Sequence, residues 1–206
     1  DIEPLLFDKY LMYRAVYWHR SDRIAPGMIK SGLHLGLAAG AFQTEDLYGL
    51  DDDSFYRRFG EGKHPGAQLV ASVFARRFHR VAAELAAEII EDPHRLTDLD
   101  SRSELADQIN TEIGLPADRG AVIDVPEAIS FEVDIPVWTA AGPVGFRDAG
   151  SVFTPDVVRD FTRRIRVVRL ALPRTASPEQ VSRAQQLLRS ELKVSSNRGY
   201  ALYQPL

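Results

Sequence analysis

Four polar residues near the start of the chain have the spacing of one helical face. They are Lys9, Tyr13, Tyr17 and Arg20. Steps of four, four and three residues place their side chains on the same side of a helix. Lysine and arginine neutralise phosphate oxygens, tyrosine hydroxyls donate hydrogen bonds to them, and Tyr17 with Trp18 can pack on a sugar or base. The pattern is typical of a phosphate-binding face, and equally of an aromatic core stripe with a solvated basic edge.

The histidines do not form a metal-binding pattern. None of the five is followed by aspartate, no pair has the spacing of a zinc protease, and the chain has no cysteine. His19 is placed to contact phosphate, to contact a neighbouring subunit, or to cap a helix beside Arg20. His64 and His94 are expected in surface loops, and helix capping explains the acidic run Asp51–Asp53. We therefore expect no catalytic residue and no metal ligand in this chain.

A second basic group lies in the segment 67–91, whose apolar spacing predicts one long helix. Arg76 and Arg77, with Arg80, would form a basic edge on that helix. Such an edge suits phosphate or a protein interface, and it equally suits a solvated face. No nucleophile elbow, Walker motif or dinucleotide fingerprint occurs, and Gly142–Gly145 is predicted to be a hairpin turn.

The composition excludes several classes of protein. The 206 residues are 45% hydrophobic and 26% charged, which is typical of a globular chain. A net charge of -4 argues against generic coating of nucleic acid. No apolar run is long enough to cross a membrane and Asp1–Pro4 is no secretory leader, so we expect a cytoplasmic protein. Because the chain does not begin with Met, we expect a piece of a longer protein or a processed one.

The first element that must position these residues is a helical region predicted over 2–42. Pro26–Gly27 predicts a kink or a break in it, and two helices joined across 21–27 fit equally well. Gly-rich spacing over 31–42 predicts close helix packing or, alternatively, a weak helix end. The residues predicted to form the buried stripe at its start are Leu5, Met12 and Val16.

Later segments complete a predicted α+β fold. A mostly helical part, 1–118, precedes a small α/β part, 119–206. Further helices are predicted over 54–59, 67–91, 101–113, 151–162 and 178–192, and strands over 121–126, 131–138 and 164–172.

The segment 2–19, which reads I-E-P-L-L-F-D-K-Y-L-M-Y-R-A-V-Y-W-H, resembles a segment of the HD-superfamily phosphohydrolases. That superfamily includes the deoxynucleoside triphosphate (dNTP) triphosphohydrolases. The stretches 50–55, 75–80 and 122–126 resemble the same proteins in the same order. The resemblance implies that 1–118 continue an HD-type helical fold and that 119–206 form its C-terminal appendage.

In those enzymes the corresponding helix lines the nucleotide pocket. The resemblance therefore implies that Lys9 and Tyr13 face substrate phosphate. It implies that Tyr17 and Trp18 face the sugar and base. Lys9 stands where the family usually has arginine, and a lysine lacks the bidentate fork, which weakens its grip on phosphate.

The same resemblance implies what the chain lacks. The family binds its metal through a histidine, a His-Asp doublet and a distant aspartate, all N-terminal to this helix, and no such set occurs here. The chain would be the C-terminal half of a phosphohydrolase of nucleotides or other phosphate esters, with the divalent metal in the missing half. A homo-oligomer is implied, with Arg76 and Arg77 near oligomer or effector contacts. The alternative is a non-catalytic scaffold or regulatory module that docks on a partner chain or self-associates.

Overall fold

The chain folds into α-helices around a small antiparallel sheet. The computed structural model describes residues 3–127, 135–152 and 154–194. The helices are α1 Glu3–Met12, α2 Arg20–Ala38, α3 Asp52–Phe59, α4 Ala67–Phe74, α5 Leu99–Ile113, α6 Pro155–Ile165 and α7 Pro178–Glu191. The strands are β1 Arg80–Ala86, β2 Val122–Asp124, β3 Pro136–Thr139, β4 Gly142–Gly145 and β5 Val167–Leu172. The predicted α+β fold class is confirmed.

The three-stranded sheet, in the order β1-β5-β2, lies between two layers of helix. Because side chains alternate along a strand, β5 serves both faces. Leu170 belongs to the core that α5 and α7 cover, whereas Ala171 packs with Met28 of α2. The sheet joins strands from both sides of residue 118, where the sequence divides into its two predicted parts.

The first helix buries a different face from the predicted one. Leu6 and Tyr10 pack against Phe146, and the Tyr10 ring meets the edge of Phe161 at a centroid distance of 4.9 Å. The predicted stripe is exposed, by 67% at Leu5, 43% at Met12 and 40% at Val16. The prediction of a buried stripe is wrong because this helix is apolar around most of its circumference, so periodicity alone does not choose the packed face.

The N-terminal helical region breaks at Trp18–His19. The sequence predicted a kink or a break at Pro26–Gly27, or two helices joined across 21–27. A π-helical turn, Tyr13–Tyr17, follows α1, and the next helix starts after an extended His19 with φ -64° and ψ 141°. α2 continues through Pro26. Fully buried Met28 holds this part of the helix on the sheet, which offsets the one hydrogen bond that proline cannot make.

The segment 67–91 is a helix followed by a strand, not the single helix predicted. α4 ends at Phe74, and Arg76 adopts the left-handed conformation, with φ 55°. The amide of Arg77 then donates to the carbonyl of Ser72 at 2.7 Å, which closes the helix end. β1 is rich in helix-forming alanine, glutamate and leucine, and its pairing with distant β5 overrides that local preference.

The segment Gly142–Gly145, predicted to be a turn, is a strand of the hairpin β3–β4. Thr139 pairs with Gly142 and Pro136 with Gly145, and the turn lies at residues 140–141. The predicted strand over 131–138 is described only from residue 135 onward.

Candidate functional site

The widened turn after α1 brings aromatic side chains together. The amide of Trp18 donates to the carbonyl of Tyr13 at 2.8 Å, five residues back. The Tyr13 ring lies 5.3 Å from that of Tyr17 and 5.8 Å, edge-on, from that of Trp18. π-Helical turns are rare and often mark functional sites, because they redirect side chains that an α-helix would place elsewhere.

Two residues predicted to bind substrate are open to solvent beside this turn. Lys9 is exposed and takes part in no ion pair among the described residues. Tyr17 is 55% exposed, and Tyr13 is half-buried beneath it. The structure therefore brings the two tyrosines into contact, with Lys9 one turn before them, and leaves a cation and a phenol accessible to a ligand.

The remaining residues of the predicted motif are differently placed. Trp18 is buried, so its ring packs within the protein rather than in solvent. His19 is exposed, and its backbone carbonyl accepts the amides of Asp22 and Arg23 at 3.1 Å each, which makes it the cap residue of α2. Arg20 opens that helix, and the position of its side chain lies outside the described part of the chain.

Arg76 and Arg77 do not lie on a helical edge, because α4 has already ended. Both side chains are exposed at the bend that leads into β1. Arg80, predicted on the same edge, is in the strand, and one of its guanidinium nitrogens donates to the carbonyl of Ala176 at 3.2 Å. The two arginines at the bend remain accessible to a partner or an anion.

The structure adds a buried row of charges that sequence reasoning missed. Glu84, Arg169 and Asp124 lie directly opposite one another on β1, β5 and β2. Arg169 donates from Nε to Glu84 at 2.7 Å and from Nη2 to the backbone carbonyl of Trp18 at 2.8 Å. Arg23 of α2 grips both oxygens of Asp124, at 2.6 and 3.1 Å. Charged residues inside apolar strands were the signal available in the sequence.

More cations surround this row. Arg166 donates from Nε to the carbonyl of Pro126 at 2.6 Å, and Arg102 donates to the carbonyls of Leu96 and Thr97. Burial lowers the pKa of both guanidinium groups below the ordinary value. Their side chains are thus held by main-chain carbonyls. They stabilise the fold and do not form an open anion site.

The concave regions around α5 do not suit a phosphate ligand. A cavity of about 30 Å³ between α2 and α5, lined by apolar side chains together with polar groups such as His34 and Asp107, has room for only about two water molecules. A groove of about 610 Å³ between α5 and α7 is lined by acidic groups, among them Glu104, Glu112 and Glu191, which repel phosphate. The open face of the first helix is therefore the better candidate site.

The chain matches a known protein family. Residues 2–140 match the family described as the HD associated region. The match covers more than half of the chain, and the chain belongs to this family. It is accordingly an HD-domain-associated protein, which confirms the coarser part of the resemblance seen in segment 2–19. No curated protein and no solved structure matches it. Over the described residues, no helix combines the length and the apolarity needed to span a bilayer.

Proposed function

We propose that this chain is the C-terminal part of a metal-dependent HD-type phosphohydrolase, similar to the dNTP triphosphohydrolases, and that it forms one wall of the substrate pocket. The observation that carries the proposal is the exposed Lys9 together with the ring contact of exposed Tyr17 with Tyr13, in the segment that matches the HD associated region. Nucleotides or other phosphate esters are the substrate class that suits a cation next to phenol hydroxyls.

In this role Lys9 neutralises phosphate charge and Tyr13 donates a hydrogen bond to a phosphate oxygen. Tyr17 supplies a ring face and a hydroxyl to the sugar. Trp18 acts beneath them, because its buried ring supports Tyr13 from below.

The HD domain is the proposed occupant of the exposed apolar stripe formed by Leu5, Met12 and Val16. Exposed apolar surface of this kind marks interaction sites, and the stripe lies on the helical segment that carries the pocket residues. A domain that covers it also encloses Lys9 and Tyr17. Exclusion of water then strengthens their contact with phosphate.

The metal belongs to the HD domain in this proposal. Within the described ranges no three histidine, aspartate or glutamate side chains converge as a metal site, so those residues offer the ion no set of ligands. The exposed Arg76 and Arg77 are left for contacts between copies of the enzyme or for an effector. We also place the enzyme in the cytoplasm, and a chain without cysteine fits its reducing conditions.

The same apolar stripe supports a second candidate function, a non-catalytic scaffold or regulatory module. Such a module needs a docking face and uses neither Lys9 nor Tyr17. The two functions therefore differ in whether substitutions on the polar face change turnover.

The test assays the protein in which this chain accompanies its HD domain. dATP, ATP and bis(4-nitrophenyl) phosphate are supplied with Mn²⁺. Release of inorganic triphosphate is measured for the two nucleotides, and release of 4-nitrophenol for the diester. Triphosphate release from dATP is the expected result, whereas no hydrolysis of any probe supports the scaffold. The chain alone is expected to be inactive, and elemental analysis that finds about one tightly bound Mn, Fe or Zn per chain would overturn the assignment of the metal to the HD domain.

A further inference from the structure

The buried row of charges reaches the helical break that carries the predicted pocket. One guanidinium, that of Arg169, contacts Glu84 on β1, lies 3.8 Å from Asp124 on β2, and donates to the carbonyl of Trp18. Arg169 and Asp124 are 5% and 3% exposed. A charged group at this depth is retained only where its partners offset the cost of removing it from water.

The network holds both sides of the break. Trp18 ends the π-helical turn, and its carbonyl is bound by Arg169. Arg23 lies one turn beyond the break, in α2, and is bound by Asp124 through both carboxylate oxygens. Since Arg169 and Asp124 are cross-strand neighbours, one pair of strands fixes where the first helical segment stops and where the second begins.

We propose that Arg169 is a positioning residue, which fixes the break between the π-helical turn and α2 and thereby sets where Tyr13 and Tyr17 point. Trp18 packs edge-on against Tyr13, so a displaced Trp18 carries the tyrosine with it. The effect on the polar face of the helix follows from this contact. Its consequence for substrate binding rests on the proposed function.

Arginine is required here because the planar group donates two hydrogen bonds in different directions, to Glu84 and to the Trp18 carbonyl, while its third nitrogen stays 3.8 Å from Asp124. Lysine keeps the charge and can pair with Glu84 or Asp124, but a single ammonium on a flexible stem does not also hold the Trp18 carbonyl in the same geometry. Arg169→Lys therefore keeps the positive charge of this side chain and removes the planar arrangement of its donors.

Tryptophan fluorescence measures the position of the break directly. The chain has two tryptophans, Trp18 at 6% exposure and Trp138 at 80%. In a Trp138→Phe background the signal comes from Trp18 alone, and acrylamide quenching reports its accessibility. Circular dichroism and urea unfolding establish that each variant is folded when it is measured.

Arg169→Lys is expected to raise the quenching of Trp18 towards that of an exposed tryptophan. Arg23→Lys, a milder change on the other side of the break, should raise it less. Glu84→Gln removes the negative charge that faces Arg169 but leaves the bond to Trp18, so it should lower stability without changing quenching. Arg183→Lys, at the exposed pair with Glu112, is the matched control. Unchanged quenching in folded Arg169→Lys and Arg23→Lys overturns the proposal.

A second measurement separates this proposal from the proposed function. In the HD-containing protein, Arg169→Lys should raise the KM for dATP about 10-fold or more, the loss expected for a misplaced charge-assisted contact, with a smaller change in kcat. Arg183→Lys should leave both unchanged. Increased quenching with an unchanged KM supports the positioning role and contradicts the pocket wall. A raised KM with unchanged quenching overturns the positioning role.

Discussion

At the scale of single residues, buried His79 is the clearest titrating group. Its Nε2 donates to the carbonyl of Gly120 at 2.8 Å, an arrangement that the neutral imidazole satisfies. Burial lowers the pKa of His79, and the carbonyls of Gly120 and Arg119 oppose that effect in part. The sequence contains the histidine but not the contact, because Gly120 lies 41 residues away on another element.

The lowered pKa of His79 predicts a pH-dependent stability. Below the ordinary histidine pKa of about 6.5 the unfolded chain binds more protons at this residue than the folded chain, so the free energy of unfolding falls as pH falls. The contribution of His79 to the free energy of unfolding is fully present above that pH. His79→Gln cannot titrate, and its amide retains a donor. Urea unfolding between about pH 5 and pH 8 should therefore show a shallower pH dependence in the variant. Equal dependence in both proteins would contradict the assignment.

At the scale of elements, α2 and α4 approach so closely that glycine is required. A Cβ on Gly32 would lie 2.6 Å from the carbonyl oxygen of Gly66, and a Cβ on Gly66 would lie 2.3 Å from that of Gly32. The contact is backbone against backbone, which cannot yield easily. The glycine-rich spacing of 31–42 predicted close packing of this kind, and Gly32 confirms it.

Gly32→Ala should therefore destabilise the protein by about 1–3 kcal/mol, the cost of overpacking. Gly27 in the same helix provides the control, because a Cβ there would meet its nearest neighbour, Asp124 Cβ, at an ordinary 3.5 Å. Gly27→Ala should be neutral or stabilising by up to about 1 kcal/mol, since alanine is the better helix former. Urea unfolding of the two variants compares them, and an equal loss in both would refute the close contact.

At the end of α4, introducing a glycine is expected to stabilise the protein. Arg76 occupies the left-handed conformation that normally falls to glycine after a helix. Arg76→Gly should stabilise the protein by about 1 kcal/mol, because the steric penalty disappears. Arg77→Gly, next to it, relieves no such penalty and should be neutral or slightly destabilising. Thermal unfolding distinguishes them, and a loss of stability in Arg76→Gly would mean that the bend differs from the one described.

The same elements explain how much the sequence could predict. α3, α5 and α7 are recognisable because their signals are local, as in the Asp51 carboxylate that accepts the amide of Ser54 at 2.8 Å. β1 is not, since its strand state depends on pairing with β5, and Glu84 and Arg169 are 85 residues apart. Asp124 within its apolar run hinted at a buried partner, but only the sheet order identifies that partner.

At the scale of the whole molecule, the first helix has one face packed against this chain and another exposed to solvent. Leu6 and Tyr10 fasten it to this chain, while Leu5, Met12 and Val16 face outward. The sequence pattern predicted an apolar stripe that must be covered by a partner. We expected that partner to be another part of this chain. In the proposed function that partner is the HD domain, and the polar face next to the stripe then lies at the junction of the two.

The proposal that the first helix forms a wall of the substrate pocket is tested most directly by one measurement. This is the kcat/KM for dATP of Lys9→Ala in the protein that contains the HD domain. Loss of a charge-assisted phosphate contact is worth about 1.5–3 kcal/mol, so a decrease of roughly 10- to 150-fold is predicted. Tyr17→Phe should lose less, since only the hydroxyl is removed. Lys63→Ala, at an exposed lysine in the loop before α4, should match the parent. Parental turnover in both Lys9→Ala and Tyr17→Phe would contradict a pocket wall on this helix and leave the docking scaffold as the function of the chain.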